Sequence, residues 1–166
     1  NTLQINKNAN SILLLSLISG RNPEMLIGKH VIAAPYLKAS KLEVIPTGYM
    51  LIESGKPTAA QYMSSSIPIP GDKDDIAVCT ALAGEMLGLK LIFMDAGSGA
   101  ILTVSEKMVA SVKQNLTIPL IVGGGINTPA KAHDICNAGA DIVVVGTAVE
   151  ENVQLIENIA DAVHLL

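Results

Sequence analysis

Three apolar runs in this chain each end in a turn with almost no side chains: DAGSGA at Asp95–Ala100, GGGI at Gly123–Ile126 and GTA at Gly146–Ala148. Turns of this composition free backbone N–H groups, and with a helix N-terminus following they hold an anion such as phosphate. Ser98 and Thr147 add hydroxyl donors. Asp95 is the only charge between Lys90 and Glu106 and has no cation beside it in sequence. A carboxylate next to a bound phosphate suits a general base or a ligand for a substrate hydroxyl. Plainer readings stay open at this level. GGG can be a tight turn and nothing more, Asp95 can be a helix cap or structural acceptor, and Tyr49, after Thr47-Gly48, can be a core residue. His30, His133 and His164 are not spaced as metal ligands and read as surface or satisfied core residues. Asp141 and Glu150, which frame the last strand, read as solvated or capping.

For the three turns to act together, the elements that carry them must point the same way. Residues 1–10 read as a polar loop or short helix, and Ser11–Ser19 as a buried strand. Asn22-Pro23 then starts a helix to about His30. Leu42–Ile52 is a strand whose middle Pro46 bends or splits. Gly55–Gly71 is a long loop with one helical turn, and Asp74–Leu87 a helix with acids in its first turn. Leu89–Met94 is a strand, Ser105–Asn115 a helix capped by Ser105, and Ile118–Val122 a strand. Thr128-Pro129 opens a helix that stops at Gly139; Asp141–Val145 is the last strand and Val149–His164 the closing helix. Short, β-branched, continuous apolar strands that alternate with helices predict parallel strands buried on both faces. Parallel neighbours point their C-terminal ends to one side, which brings the three turns together. In (β/α)₈ barrels the common phosphate site uses the loops after the last two strands, the places that GGGI and GTA hold here.

Composition narrows the class. With 166 residues, 49% of them hydrophobic and 16% charged, the chain can bury a sizeable core and reads as a single domain over residues 1–166. Net charge is −4, the eleven Lys and Arg are scattered, and aromatics make up 2% without a Trp. There is thus neither a basic footprint nor a stacking platform for nucleic acid. Cys79 and Cys136 match no metal or redox spacing and read as buried free thiols in a reducing compartment. The longest apolar run is far short of a membrane span and no signal peptide is visible, so the expectation is a cytoplasmic protein.

Five stretches carry a resemblance: SLISGRNPEMLIGKHVIAAP, EVIPTGYMLIESGKPTA, ALAGEMLGLKLIFMDAGSGA, PLIVGGGINTP and AGADIVVVGTAVEEN. In this order, over nearly the whole chain, they resemble the geranylgeranylglyceryl phosphate synthase family and the related bacterial heptaprenylglyceryl phosphate synthases. The wording of SGRNP and GYMLIESG is closer to the bacterial and group II side. The resemblance implies an α/β fold, a modified TIM (β/α)₈-type barrel. It also implies a prenyltransferase of lipid biosynthesis that joins sn-glycerol 1-phosphate to a long prenyl diphosphate through an ether bond, with Mg²⁺ on the diphosphate. Homo-oligomers are common in the family. By resemblance, the glycerol phosphate site falls on Phe93, Met94, Asp95, Ala96, Gly97, Ser98 and Gly99, then Gly124 and Gly125, then Gly146 and Thr147. Asp95 is the implied catalytic base, which takes the proton of the glycerol hydroxyl. The prenyl side is expected near Tyr49, with Gly48–Ile52 and the loop to Met63 as its apolar groove.

Two departures follow. The family often has Tyr-x-Glu where this chain has Phe93-Met94-Asp95. A phenol is lost, and the carboxylate is one methylene shorter, about 1.5 Å, a misplacement that can cost roughly a hundredfold. The family's metal-binding Asp and a second metal-side Ser or Thr belong to its first two strands. The chain starts at Asn1 without those strands, so its five βα units are expected to be the last five of a barrel of about 250 residues, with strands 1–3 absent and no metal ligand of its own. Other expectations compatible with the turns alone are a different phosphate-binding barrel enzyme, such as an isomerase of amino-acid or thiazole biosynthesis, and a truncated barrel that binds without catalysis.

Overall fold

The computed structural model describes residues 5–6 and 8–164. The reading of residues 1–10 as a polar loop or short helix falls largely on residues outside that set. Five strands form one sheet: β1 (Ser11–Leu17), β2 (Glu43–Leu51), β3 (Leu91–Asp95), β4 (Leu120–Gly123) and β5 (Ile142–Val144). All pair in parallel, and their order in the sheet is their order in sequence. A doubly wound sheet reverses its strand order at a switch point. This sheet never does, which is the winding of a barrel wall.

Between the strands lie a π-helical segment (Glu24–Gly28), then α1 (Lys29–Ser40), α2 (Ala59–Ser64), α3 (Asp74–Met86), α4 (Glu106–Lys113) and α5 (Pro129–Asn137); α6 (Thr147–Glu151) and α7 (Leu155–His164) close the chain. Local chemistry sets most of these ends. The Ser105 hydroxyl accepts the Met108 N–H at 3.2 Å, and the Thr128 hydroxyl accepts that of Lys131 at 3.2 Å with Pro129 following. Thr58 and Gln61 form a reciprocal capping box before α2. Gly139 takes φ 116° beyond α5, the left-handed conformation that ends the helix.

The core lies between the sheet and its helices. Met50, Ile92, Met94, Leu120 and Val122, on one face of the sheet, are fully buried against Ala77 and Ala81 of α3 and Met108, Val109 and Val112 of α4. Small residues let α3 come close: a β-carbon at Gly84 would lie 2.9 Å from Ile18 and 3.1 Å from Ile92. The opposite face is less covered. Leu13, Leu15, Ile142 and Val144 of the two edge strands are 39–45% exposed. Burial on both faces, expected from their apolar sequence, is therefore incomplete at the edges, where the described strands cover that side with no further neighbour.

Four other expectations are corrected. Pro46 neither bends nor splits its strand, because it precedes the first β2–β3 pair, Thr47 with Leu91, and so no ladder bond is due on the side where its N–H is missing. The helix expected to end at His30 continues as α1 through Pro35 to Ser40, anchored by buried Ala33 and Leu37. The closing helix is two, since Asn152 turns extended and its side chain accepts the Gln154 N–H at 3.1 Å. Cys79 is exposed, two residues past buried Ala77 and so on the outer side of α3, while Cys136 is half-buried; both are free thiols.

Asp141 staples the other end of the sheet from the glycine turns. Its carboxylate accepts from Lys113 Nζ at 2.6 Å and from the Leu120 N–H at 2.7 Å, joining the end of α4 to the starts of β4 and β5. Its pKa lies below the usual carboxylate range: partial burial opposes the charge, but the bonds from Lys113 and Leu120 outweigh it. A folded value below the unfolded one, about 3.9, gives stability that is present above that pH and lost as pH falls through the folded value. Asp141→Ala is expected to cost about 1–2 kcal/mol at neutral pH by leaving the Leu120 N–H unpaired. Chemical denaturation at pH 7 and below pH 3 checks this, because the difference must shrink in acid.

Candidate active site

The C-terminal ends of β3, β4 and β5 open into one cavity of about 300 Å³. The register that pairs Asp95 with Gly123, and Gly123 with Val144, puts the three glycine turns side by side. Phe93, Asp95, Gly97, Ser98 and Gly99 line the cavity from the first turn, Gly124 and Gly125 from the second, and Gly146 and Thr147 from the third. Ser98 and Thr147, from turns 49 residues apart, bring their hydroxyl oxygens to 3.4 Å.

Two expected site residues do not face it. Met94 is 0% exposed on the helix side of the sheet, as strand alternation requires for a residue between Phe93 and Asp95. Ala96 is 1% exposed, and its N–H is spent on the Gly123 carbonyl at 3.0 Å. Of the expected apolar groove, Met50, Leu51 and Ile52 are 0–2% exposed and belong to the core, whereas Met63 is 73% exposed. Ala100, Ile126 and Ala148 of the three turns complete the lining together with Asn127, Val144 and Glu151, which sequence reasoning passed over. Asn127 directly follows GGGI, and Glu151 stands one helical turn after Thr147, a spacing that was available as a signal.

The glycines serve two purposes that their letters do not distinguish. Gly124 has φ 84°, and a β-carbon there would lie 2.5 Å from the Gly97 nitrogen and 2.8 Å from that of Ala96. It is stripped so that the second turn can seat on the first. A β-carbon at Gly146 would meet nothing within 4 Å, so that position leaves open space in the cavity wall. Among the described residues none accepts a hydrogen bond from the N–H groups of Ser98, Gly99, Gly124 or Gly125. Four donors beside two hydroxyls suit a phosphate. The anion site rests on these turns more than on helix termini, since α4 begins only at Glu106 and α6 has five residues. Lys56 reaches the rim, its Nζ 4.0 Å from where a β-carbon of Gly99 would stand.

Asp95 is not without a partner, as its sequence neighbourhood suggested. The Gly97 N–H donates to Oδ1 at 2.7 Å, and the Tyr49 hydroxyl, from the neighbouring strand, donates to Oδ2. Tyr49, expected on the prenyl side, thus turns its polar end to the carboxylate. The histidines fulfil their plain reading: His30 bonds the Leu15 carbonyl at 2.8 Å and His133 its neighbours Asp134 and Asn137. For the Mg²⁺ that the resemblance implies, the described residues assemble no donor set. No three His, Cys, Asp or Glu side chains converge among them, and both Asp95 oxygens are engaged. Among the described residues no helix is long and apolar enough to cross a membrane.

Comparison with known proteins adds a family. The PcrB family matches residues 1–164. A relative from Chitinophaga pinensis named geranylgeranylglyceryl phosphate synthase is 57% identical over 161 residues, 97% of this chain and 64% of the relative. One of the same name from Spirosoma linguale is 55% identical, over 99% of this chain and 66% of its own length. The chain therefore spans a little under two thirds of these curated relatives. Among solved structures, (S)-3-O-geranylgeranylglyceryl phosphate synthase from Thermoplasma acidophilum, in complex with substrate sn-glycerol-1-phosphate, superposes with a TM-score of 0.93 at 35% identity. That match covers 100% of this chain and 68% of the other, so the five-stranded sheet is part of a barrel of this type.

Proposed function

Because the chain belongs to the PcrB family, we propose that the protein carrying it is a prenyltransferase that joins sn-glycerol 1-phosphate to a long prenyl diphosphate, such as geranylgeranyl diphosphate, in ether phospholipid synthesis. The observation that carries this reading is the placement of one carboxylate beside a cluster of free N–H and hydroxyl donors in a single cavity. The phosphate takes the N–H groups of Ser98, Gly99, Gly124 and Gly125 and the hydroxyls of Ser98 and Thr147. So anchored, the glycerol presents its far hydroxyl to Asp95. That oxygen bonds to C1 of the prenyl chain as the C1–O bond to diphosphate breaks. Diphosphate leaves with the electron pair, and Asp95 receives the hydroxyl proton. A solved relative described with sn-glycerol-1-phosphate bound supports this choice of acceptor.

Mg²⁺ at the diphosphate belongs to the same proposal; the described residues do not assemble a site for it, and no step above is routed through it. A homo-oligomeric state is proposed on the family resemblance alone, and cytoplasmic action on apolar runs too short for a membrane span. The test is transfer of label from sn-glycerol 1-phosphate to an ether-linked product by the full-length protein with geranylgeranyl diphosphate. Absence of product with active reference enzyme in parallel would sink the proposal. In the same assay Ser98→Ala combined with Thr147→Val is expected to raise KM for glycerol 1-phosphate about 10- to 100-fold, two lost hydroxyl contacts at roughly 1 kcal/mol or more each.

A further inference from the structure

We infer that Tyr49 is the positioning residue of the Asp95 carboxylate, its phenol fixing from the neighbouring strand which lone pairs of that carboxylate face the cavity. The inference rests on the proposed role of Asp95 as the base. Tyr49 pairs with Phe93 in the β2–β3 register, two residues before Asp95 on the same face of the sheet. Its ring meets that of Phe93 edge to face, centroids 5.3 Å apart at 76°, so strand and ring together set where the hydroxyl points. That hydroxyl donates to Oδ2 while the Gly97 N–H donates to Oδ1 at 2.7 Å.

An ionised carboxylate offers about four lone-pair sites. Here the protein occupies one on each oxygen, which fixes the plane of the group before any ligand arrives. Gly97 alone would hold one oxygen, and the terminal torsion of an aspartate is broad. Preorganisation of this kind places a base within the narrow tolerance that proton transfer needs. The phenol does not compete for the role of base. Burial, and then the charge and hydrogen bond of Asp95, push its pKa well above the ordinary tyrosine value, so it keeps its proton and remains a donor.

Two readouts test the assignment in the full-length protein. Phenolate absorbance is followed through an alkaline titration, with the share of Tyr49 isolated as the difference between wild type and Tyr49→Phe. Tyr49 is expected to ionise well above the ordinary tyrosine value, and Asp95→Asn to bring that ionisation down. In turnover, Tyr49→Phe is expected to lower kcat about 10- to 100-fold with KM for glycerol 1-phosphate within roughly twofold of wild type. Ionisation at the ordinary tyrosine value of about 10, ionisation unmoved by Asp95→Asn, or a wild-type kcat in Tyr49→Phe would each overturn it. Should the wild type form no product, prenyl transfer fails as a reading. The titration, which needs no substrate, then decides the pairing by itself.

Discussion

Asp95→Asn in the full-length protein is expected to lower kcat for prenyl transfer by about 10²- to 10⁴-fold, the range that a positioned general base contributes. The substitution is close to isosteric. An Asn oxygen can still accept the Gly97 N–H that Asp95 Oδ1 accepts at 2.7 Å, so the turn keeps its anchor. What disappears is the group able to hold the hydroxyl proton. The loss should therefore appear in kcat, with glycerol phosphate affinity largely kept, because the proposal assigns the phosphate to Ser98, Gly99 and the two later turns. Steady-state kinetics beside direct binding of glycerol 1-phosphate separates the two. A variant that retains wild-type kcat removes Asp95 from the mechanism, whatever becomes of affinity.

Gly124→Ala is the second large effect, and it acts through the backbone. At φ 84° an L side chain is strained by roughly 1–2 kcal/mol. The added methyl also meets main-chain atoms of Gly97 and Ala96 at 2.5 and 2.8 Å, which no side-chain rotation relieves. Overpacking of this kind costs a further 1–3 kcal/mol or so. The expected total is about 3 kcal/mol in denaturant unfolding, together with a fall in glycerol phosphate affinity as the second turn lifts off the first. Stability within about 0.5 kcal/mol of wild type would mean that the two turns do not seat on each other as described.

How far the sequence foretold all this depended on the range of the physics involved. The ends of α4 and α5 were legible because Ser105, Thr128-Pro129 and Gly139 act on their own neighbours within a few residues. Pro46 misled because the cost of a proline is set by what lies beside its missing N–H. It sits one residue before the β2–β3 ladder begins, while its pairing with Leu14 of β1 is kept. The break at Asn152 gave no signal in composition, since an Asn among helix formers is equally at home on a solvated face. In the site, the three turns and Asp95 were recognisable as a phosphate-type cluster, but Met94 and Ala96 were swept in by adjacency although alternation turns them away. The Tyr49–Asp95 bond was out of reach because it spans 46 residues and depends on the register of two strands.

The unreversed strand order carries a consequence for how such a wall is made. From β2 onward, each strand pairs with the one translated just before it. A chain emerging from the ribosome can thus add one strand and one helix at a time to an edge that already exists, and chains do fold as they are synthesised. The long loop closures that slow other β architectures are limited here to a single crossover per step. Growth by accretion also orders the cavity: among the described strands β5 with the GTA turn joins after β3 and β4, so the third glycine turn is laid against two already in place.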